Sequence, residues 1–270
     1  MIKFMKKNYD ILIIDDEQVI IDSVVKIAQA DGLTVDSALD ASIALDKIKN
    51  SVYKLFICDI MMPVMDGFKF LEEMEARGIN TPIIMTTGFS TVENTVRALY
   101  HGAIGFIPKP FSFEELTSMI HRGMKYAAIQ EKLRSDDPSS SEMIYVPCPS
   151  KYYRLGYSSW VSYEPDGAAS VGVTDIYLKS IEIIKNIELL TQESTLIQGT
   201  PCAWFETEDD MRHHLMAPVS GKIIEVNPKI IENNSLVEKD PYFNGWLYKL
   251  IPNDLDYELK NLIPCSSDRY

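Results

Sequence analysis

Five short runs of branched apolar residues, each followed by apolar residues at helical spacing, restrict the first half of this 270-residue chain to very few folds. The runs fall at residues 11–14, 33–37, 55–58, 83–86 and 104–107, the second being the weakest. Each is too short for a helix and too apolar to keep one side in water, as in a strand covered on both faces. Between them the helical spacing is carried by Val24, Ile27 and Ala28, by Leu45 and Ile48, by Phe70, Leu71 and Met74, by Val92, Val96 and Leu99, and by Leu116, Met119 and Ile120. Gly32, Gly78 and Gly102 stand where helices would stop. Strand–helix units in unbroken series predict an α/β fold, a doubly wound five-stranded parallel sheet with helices on both faces. The working site of such a sheet lies outside the carboxyl ends of its strands.

Reactive side chains are found at those ends. Asp15 and Asp16 follow the first run, Asp59 the third, Thr87 the fourth and Lys109 the fifth. Three carboxylates meeting in one crevice repel one another unless a cation sits among them. A few carboxylate oxygens completed by water suit Mg²⁺. A lysine and a threonine hydroxyl at the same rim could hold the oxygens of a phosphoryl group. Asp59 is the natural nucleophile, because a carboxylate can carry a phosphoryl group as an acyl phosphate.

The motifs ILIIDDE, CDIMMPVMDG, IIMTTG and IGFIPKPF, in this order, resemble the receiver domain of two-component response regulators over about residues 8–127. The resemblance implies a flavodoxin-like sheet with strand order 2-1-3-4-5. It makes Asp59 the phosphoacceptor, with a histidine kinase or phosphotransfer protein as donor. Asp15 and Asp16 become the acidic pair, Asp16 the more direct ligand of Mg²⁺, and Met61 lends the metal its backbone carbonyl. Thr87 and Lys109 hold the phosphoryl group, and Phe106 stands at an aromatic switch position. Pro110 falls at a cis proline, and Pro63 and Gly67 shape the loop after Asp59. The implied response is a changed face around the fourth helix, fifth strand and fifth helix, controlling homodimerisation or the docking of the second domain or a partner.

Residues 128–150 read as a linker into which the last receiver helix extends, to about Leu133, with the polar, helix-breaking SDDPSSSE at its centre. Beyond it the pattern changes to short strands, expected at 157–163, 170–173, 221–226 and 246–250, with a short helix at 175–179. The net charge of −13 is uneven: residues 1–127 hold 13 basic and 17 acidic side chains, residues 128–270 hold 13 and 22. An acidic second half without a basic stripe, a helix-turn-helix or a recognition helix repels phosphate backbones, so no nucleic-acid partner is expected. No run approaches the roughly 20 apolar residues of a membrane span, and the charged start is no signal peptide, so a cytoplasmic protein is expected. Cys58, Cys148, Cys202 and Cys265 lie far apart, with neither zinc-ligand nor disulfide-framework spacing. No phosphate loop or hydrolase motif is present, and no metabolic enzyme is expected beyond the receiver's own phosphoryl chemistry.

The segments SSWVSYEPDGAASVGVTDIYLK, QGTPCAWFET, APVSGKIIEVNP and NSLVEKDPYFNGWLYKLIP resemble the glycine cleavage H protein, a lipoyl-domain relative, over about residues 151–255, leaving 256–270 as a tail. That resemblance implies a mainly β barrel-sandwich hybrid displaying a lipoyl-bearing lysine on a hairpin, three residues after the glutamate matched by Glu206. Here Asp209 or Asp210 takes that place, and no lysine lies between Glu206 and Pro218. Lipoate needs an amine to form its amide, so no lipoate is expected and the carrier function is lost. His213 and His214 are adjacent, point to opposite faces of an extended strand and cannot chelate one ion together. The acidic run Glu206, Glu208, Asp209, Asp210 reads as a solvated turn, or else as a docking patch for a basic partner. Trp160, Trp204 and Trp246 are expected in the barrel core. An alternative function is a decoy that mimics an H protein toward lipoate-handling or glycine-cleavage enzymes.

Overall fold

A computed structural model describes residues 6–134 and 144–269. Packing divides them into two compact units, the residues up to Ser90 with Ala103–Ala128, and Thr91–Gly102 with the residues from Ile129 onward. The SDDPSSSE segment lies outside the described residues. No helix among the described residues is long and apolar enough to cross a membrane.

The first half runs β1 (Lys7–Ile14), α1 (Gln18–Ala30), β2 (Val35–Ala38), α2 (Ala41–Asn50), β3 (Ser51–Asp59), α3 (Gly67–Ala76), β4 (Ile83–Thr87), α4 (Val92–Tyr100), β5 (Gly105–Pro108) and α5 (Phe113–Arg134). The strands form one parallel sheet in the order β2-β1-β3-β4-β5 expected from the sequence. Residues 11–14 of β1 are wholly buried, as a strand covered on both faces requires. Side-chain caps fix where several helices begin. Asp40 accepts the Ile43 N–H at 2.7 Å, Asp66 the Lys69 N–H at 2.8 Å and Thr91 the Asn94 N–H at 3.2 Å. Ser112 and Glu115 form a reciprocal capping box at the start of α5. Gly32, Gly78 and Gly102 all adopt positive φ just past α1, α3 and α4.

The second half continues β6 (Tyr153–Leu155), β7 (Ser159–Tyr163), β8 (Ala169–Val173), α6 (Asp175–Lys179), β9 (Ile184–Leu189), β10 (Thr195–Leu196), β11 (Pro201–Thr207), β12 (Arg212–Met216) and β13 (Gly221–Val226). It ends with α7 (Pro228–Glu232), α8 (Leu236–Lys239), β14 (Tyr248–Pro252), α9 (Leu255–Glu258) and β15 (Ile263–Pro264). Two antiparallel sheets result, β10-β13-β14-β8-β7-β6-β15 and β12-β11-β9. Val161, Val171 and Leu250 from the first and Ala203, Phe205 and Leu215 from the second share one apolar core. Tyr248 ties the layers, donating to the Cys202 carbonyl at 2.6 Å and accepting the Leu190 N–H at 2.9 Å.

Two expectations need correction. Residues 256–270 are no tail: β15 pairs with β6, and Glu258, nearly buried, accepts the Ser220 N–H at 2.7 Å and its hydroxyl at 2.5 Å. Of the three tryptophans only Trp160 is fully buried, in a small cluster that Trp246 also packs against, its indole N–H on the Val173 carbonyl at 3.0 Å. Trp204 and Trp246 are half-buried beneath the cations of Arg212 and Lys249, at 5.8 and 4.8 Å from the ring centres.

Candidate functional site

Strand register brings the first-half residues to one level. Ile14 of β1 pairs with Cys58 of β3, so the next residues, Asp15 and Asp59, emerge side by side. Asp59 pairs in turn with Thr86, and Thr87 with Pro108, which puts Thr87 and Lys109 one step beyond at the same edge. The Lys109 N–H donates to the Thr87 carbonyl at 2.7 Å, and the Lys109–Pro110 peptide is cis.

The carboxylate oxygens of Asp15, Asp16 and Asp59 all lie within 4.8 Å of one another. Asp15 and Asp59 are buried, at 0% and 2% exposure, while Asp16 is exposed. Each buried carboxylate has one oxygen held by backbone. Asp15 Oδ1 accepts the Glu17 N–H and Asp59 Oδ2 the Met61 N–H, both at 3.0 Å. The other oxygens face the Lys109 ammonium, 2.7 Å from Asp15 Oδ2 and 3.1 Å from Asp59 Oδ1. Those contacts pair the one ammonium with both buried carboxylates. Burial pushes the Asp15 and Asp59 carboxyls above the usual carboxylate range, against the pull of Lys109. Burial also opposes the charge on Lys109, but Asp15 and Asp59 outweigh it and hold the ammonium above the ordinary lysine value.

One ammonium against three carboxylates leaves negative charge uncompensated. Two buried carboxylates that share one ammonium, beside an exposed third carboxylate, offer the hard donors that a small divalent cation takes. Among the described residues this is the one group of three potential metal-ligating side chains so placed. Thr87 is buried at the end of β4, and its hydroxyl oxygen accepts the Phe89 N–H at 3.1 Å, leaving the hydroxyl proton available to an acceptor. Phe106 is buried and paired with Met85 across the strands. Gly67 starts α3 where the chain crosses β3, and a Cβ there would fall 2.4 Å from the Asp59 carbonyl.

Glu17 belongs to this site and was passed over in the sequence. Its carboxylate is 3.5 Å from Lys109 and its N–H fixes Asp15, and the acidic run Asp15-Asp16-Glu17 was the available signal. Val64, fully exposed at φ 68° in the loop after Asp59, had no sequence signal, since a β-branched residue disfavours that conformation.

The second-half hairpin is built differently. β11 and β12 close through a turn in which Thr207 donates to Asp209 Oδ1 at 2.5 Å and Asp210 takes φ 58°. Lys185 of β9 reaches Asp210 at 2.9 Å, and Asn186 reaches Glu206 at 3.4 Å. His213 is buried and His214 half-buried, on opposite faces of β12. The tip thus presents the Asp209 and Asp210 carboxylates, with the Lys185 ammonium paired to Asp210.

Comparison with known proteins separates the two halves in the same way. Residues 11–121 match the family model described as response regulator receiver domain, and residues 151–267 the one described as glycine cleavage H-protein. The response regulator protein TodT of Pseudomonas putida is 32% identical over 133 residues, covering 49% of this chain and 57% of TodT. The chain therefore spans little more than half the length of that relative. The crystal structure of the receiver domain of NtrX from Brucella abortus is 33% identical, covers 43% of this chain and 98% of its own, and has a TM-score of 0.41. A glycine cleavage system H protein from Mycobacterium marinum is 27% identical, with 39% and 86% covered and a TM-score of 0.36.

Proposed function

Because the chain joins a response regulator receiver domain to a glycine cleavage H-protein domain, we propose that it is a phosphorylation-driven regulator with Asp59 as phosphoacceptor and a non-lipoylated output domain. The observation that carries this reading is the level placement of Asp15, Asp59 and Lys109 at adjacent strand ends, with Asp16 within the same 4.8 Å cluster. A histidine kinase or phosphotransfer protein is the natural donor. An Asp59 oxygen attacks the donor's phosphorus, the donor's phosphorus–ligand bond breaks, and an acyl phosphate remains on Asp59. Asp15, Asp16, Asp59 and the Met61 carbonyl would hold Mg²⁺, which neutralises charge on the phosphoryl oxygens.

Lys109 already bridges Asp15 and Asp59, so its ammonium is placed to pair with a phosphoryl oxygen once Asp59 is modified. The Thr87 hydroxyl proton is free to donate to another. Moving Thr87 toward that group would disturb the chain leading into α4. A changed Phe106 packing would complete the switch. Its readout is homodimerisation, or docking by the second domain, without DNA binding and without a metabolic reaction. Asp209 and Asp210 at the hairpin tip supply no amine for a lipoyl amide, which supports the non-lipoylated reading.

Intact mass spectrometry after incubation with acetyl phosphate and Mg²⁺ tests the reading. The wild type is expected to gain one phosphoryl group and Asp59→Ala none. An unmodified wild type, or an equally modified variant, would overturn it.

A further inference from the structure

The three-stranded sheet of the second unit leaves β9 at an edge, paired with β11 on one side only. An edge strand presents alternate backbone N–H and C=O groups to whatever lies beside it. At its start one of these groups is taken by a side chain: the Asn234 amide donates to the Lys185 carbonyl at 2.9 Å. From residue 186 to 189, no described side chain or further strand takes the outer backbone groups.

Beside this open stretch lies a cleft of about 740 Å³, with β9 and the residues after it on one wall and α7 on the other. Ile187, Leu189 and Ile231 give it apolar surface, and Asn186, Gln192 and Asn234 give it side-chain amides. Ile231 stands on the α7 wall at 71% exposure. Glu232 is the only charged residue in the lining, and no cation is there to oppose it. Glu206 stands nearby, hydrogen-bonded to Asn186 of the same wall.

We infer that this cleft receives an extended peptide segment of a partner protein, bearing alternating aliphatic and basic residues, as an added strand on β9. Backbone hydrogen bonds to residues 186–189 supply the register, as in other β-strand additions. The segment's aliphatic side chains cover Ile187, Leu189 and the exposed Ile231, and a basic side chain meets Glu232. An acidic occupant is excluded by that glutamate and by the acidic excess of the second half, 22 acidic against 13 basic residues. The inference goes beyond the phosphoacceptor reading and does not depend on it, because every participating residue lies between 184 and 238 and the unphosphorylated chain suffices.

The test uses the full chain and a fluorescent synthetic peptide alternating Val and Lys, with a Val and Glu peptide as control. Anisotropy should show binding of the basic peptide alone, weakened about tenfold by Glu232→Lys at this exposed position. Hydrogen exchange should slow at residues 186–189 when the basic peptide is added. Equal binding of both peptides, no binding, an unaffected Glu232→Lys variant, or binding without protection of 186–189 would each overturn the inference. Protection of those amides without peptide, lost on dilution, would assign the cleft to a second copy of the chain and overturn it likewise.

Discussion

Asp59 sits in a site that is electrostatically costly without a metal. Its carboxylate is buried beside Asp15, with a single ammonium between them, and burial raises the pKa of both acids. A group whose folded pKa is raised stabilises the fold when protonated and costs stability as pH rises through that value. Removing the charge at neutral pH should therefore help. Asp59→Asn is expected to stabilise the metal-free protein by about 1–2 kcal/mol, or a few degrees in Tm, when measured in EDTA at pH 7. The gain should vanish as pH falls below the raised carboxyl value, where the wild type is itself neutral. Adding Mg²⁺ should raise the wild-type Tm more than the variant's. A lower Tm for Asp59→Asn in EDTA would mean that the Lys109 contact outweighs carboxylate repulsion and burial.

At the scale of elements, strands buried on both faces were legible and strands that lean on their neighbours were not. β1, β3, β4 and β5 are apolar enough to show without a partner. β2 was expected two residues early, because Leu33 looks like strand but donates its N–H to the Ala28 carbonyl and closes α1. β9 is largely polar, with only Ile184 buried, and β11 begins in proline and ends in Glu-Thr, so neither shows a clean alternation. Their identity comes from pairing with each other and with β12, which no local pattern reports. The strand-end residues of the first site were readable because strand order fixes their level. The hairpin was readable only through resemblance, and the role of the last residues was missed because β15 is two residues long. Those residues matter for stability. Glu258→Ala would leave the Ser220 N–H and hydroxyl without their carboxylate, and urea unfolding should show a loss of about 2 kcal/mol. A loss within about 0.5 kcal/mol of zero would show that water replaces Glu258 there.

For the whole molecule, the central claim is that chemistry at Asp59 alters the H-protein-like half. The two halves carry different patterns. The first has a charged, metal-ready crevice, and the second keeps its sheets and core but ends its hairpin in Asp209 and Asp210. On the proposed reading that half acts as a recognised surface and not as a carrier. On the same reading, phosphorylation at Asp59 has to alter that surface. Hydrogen exchange read by mass spectrometry on the full chain, with and without acetyl phosphate and Mg²⁺, tests this most directly. The account predicts altered exchange in α4 and within residues 151–267 of the phosphorylated wild type, and none in Asp59→Ala. Changes confined to the loops around Asp59, with residues 151–267 unaltered, would contradict it.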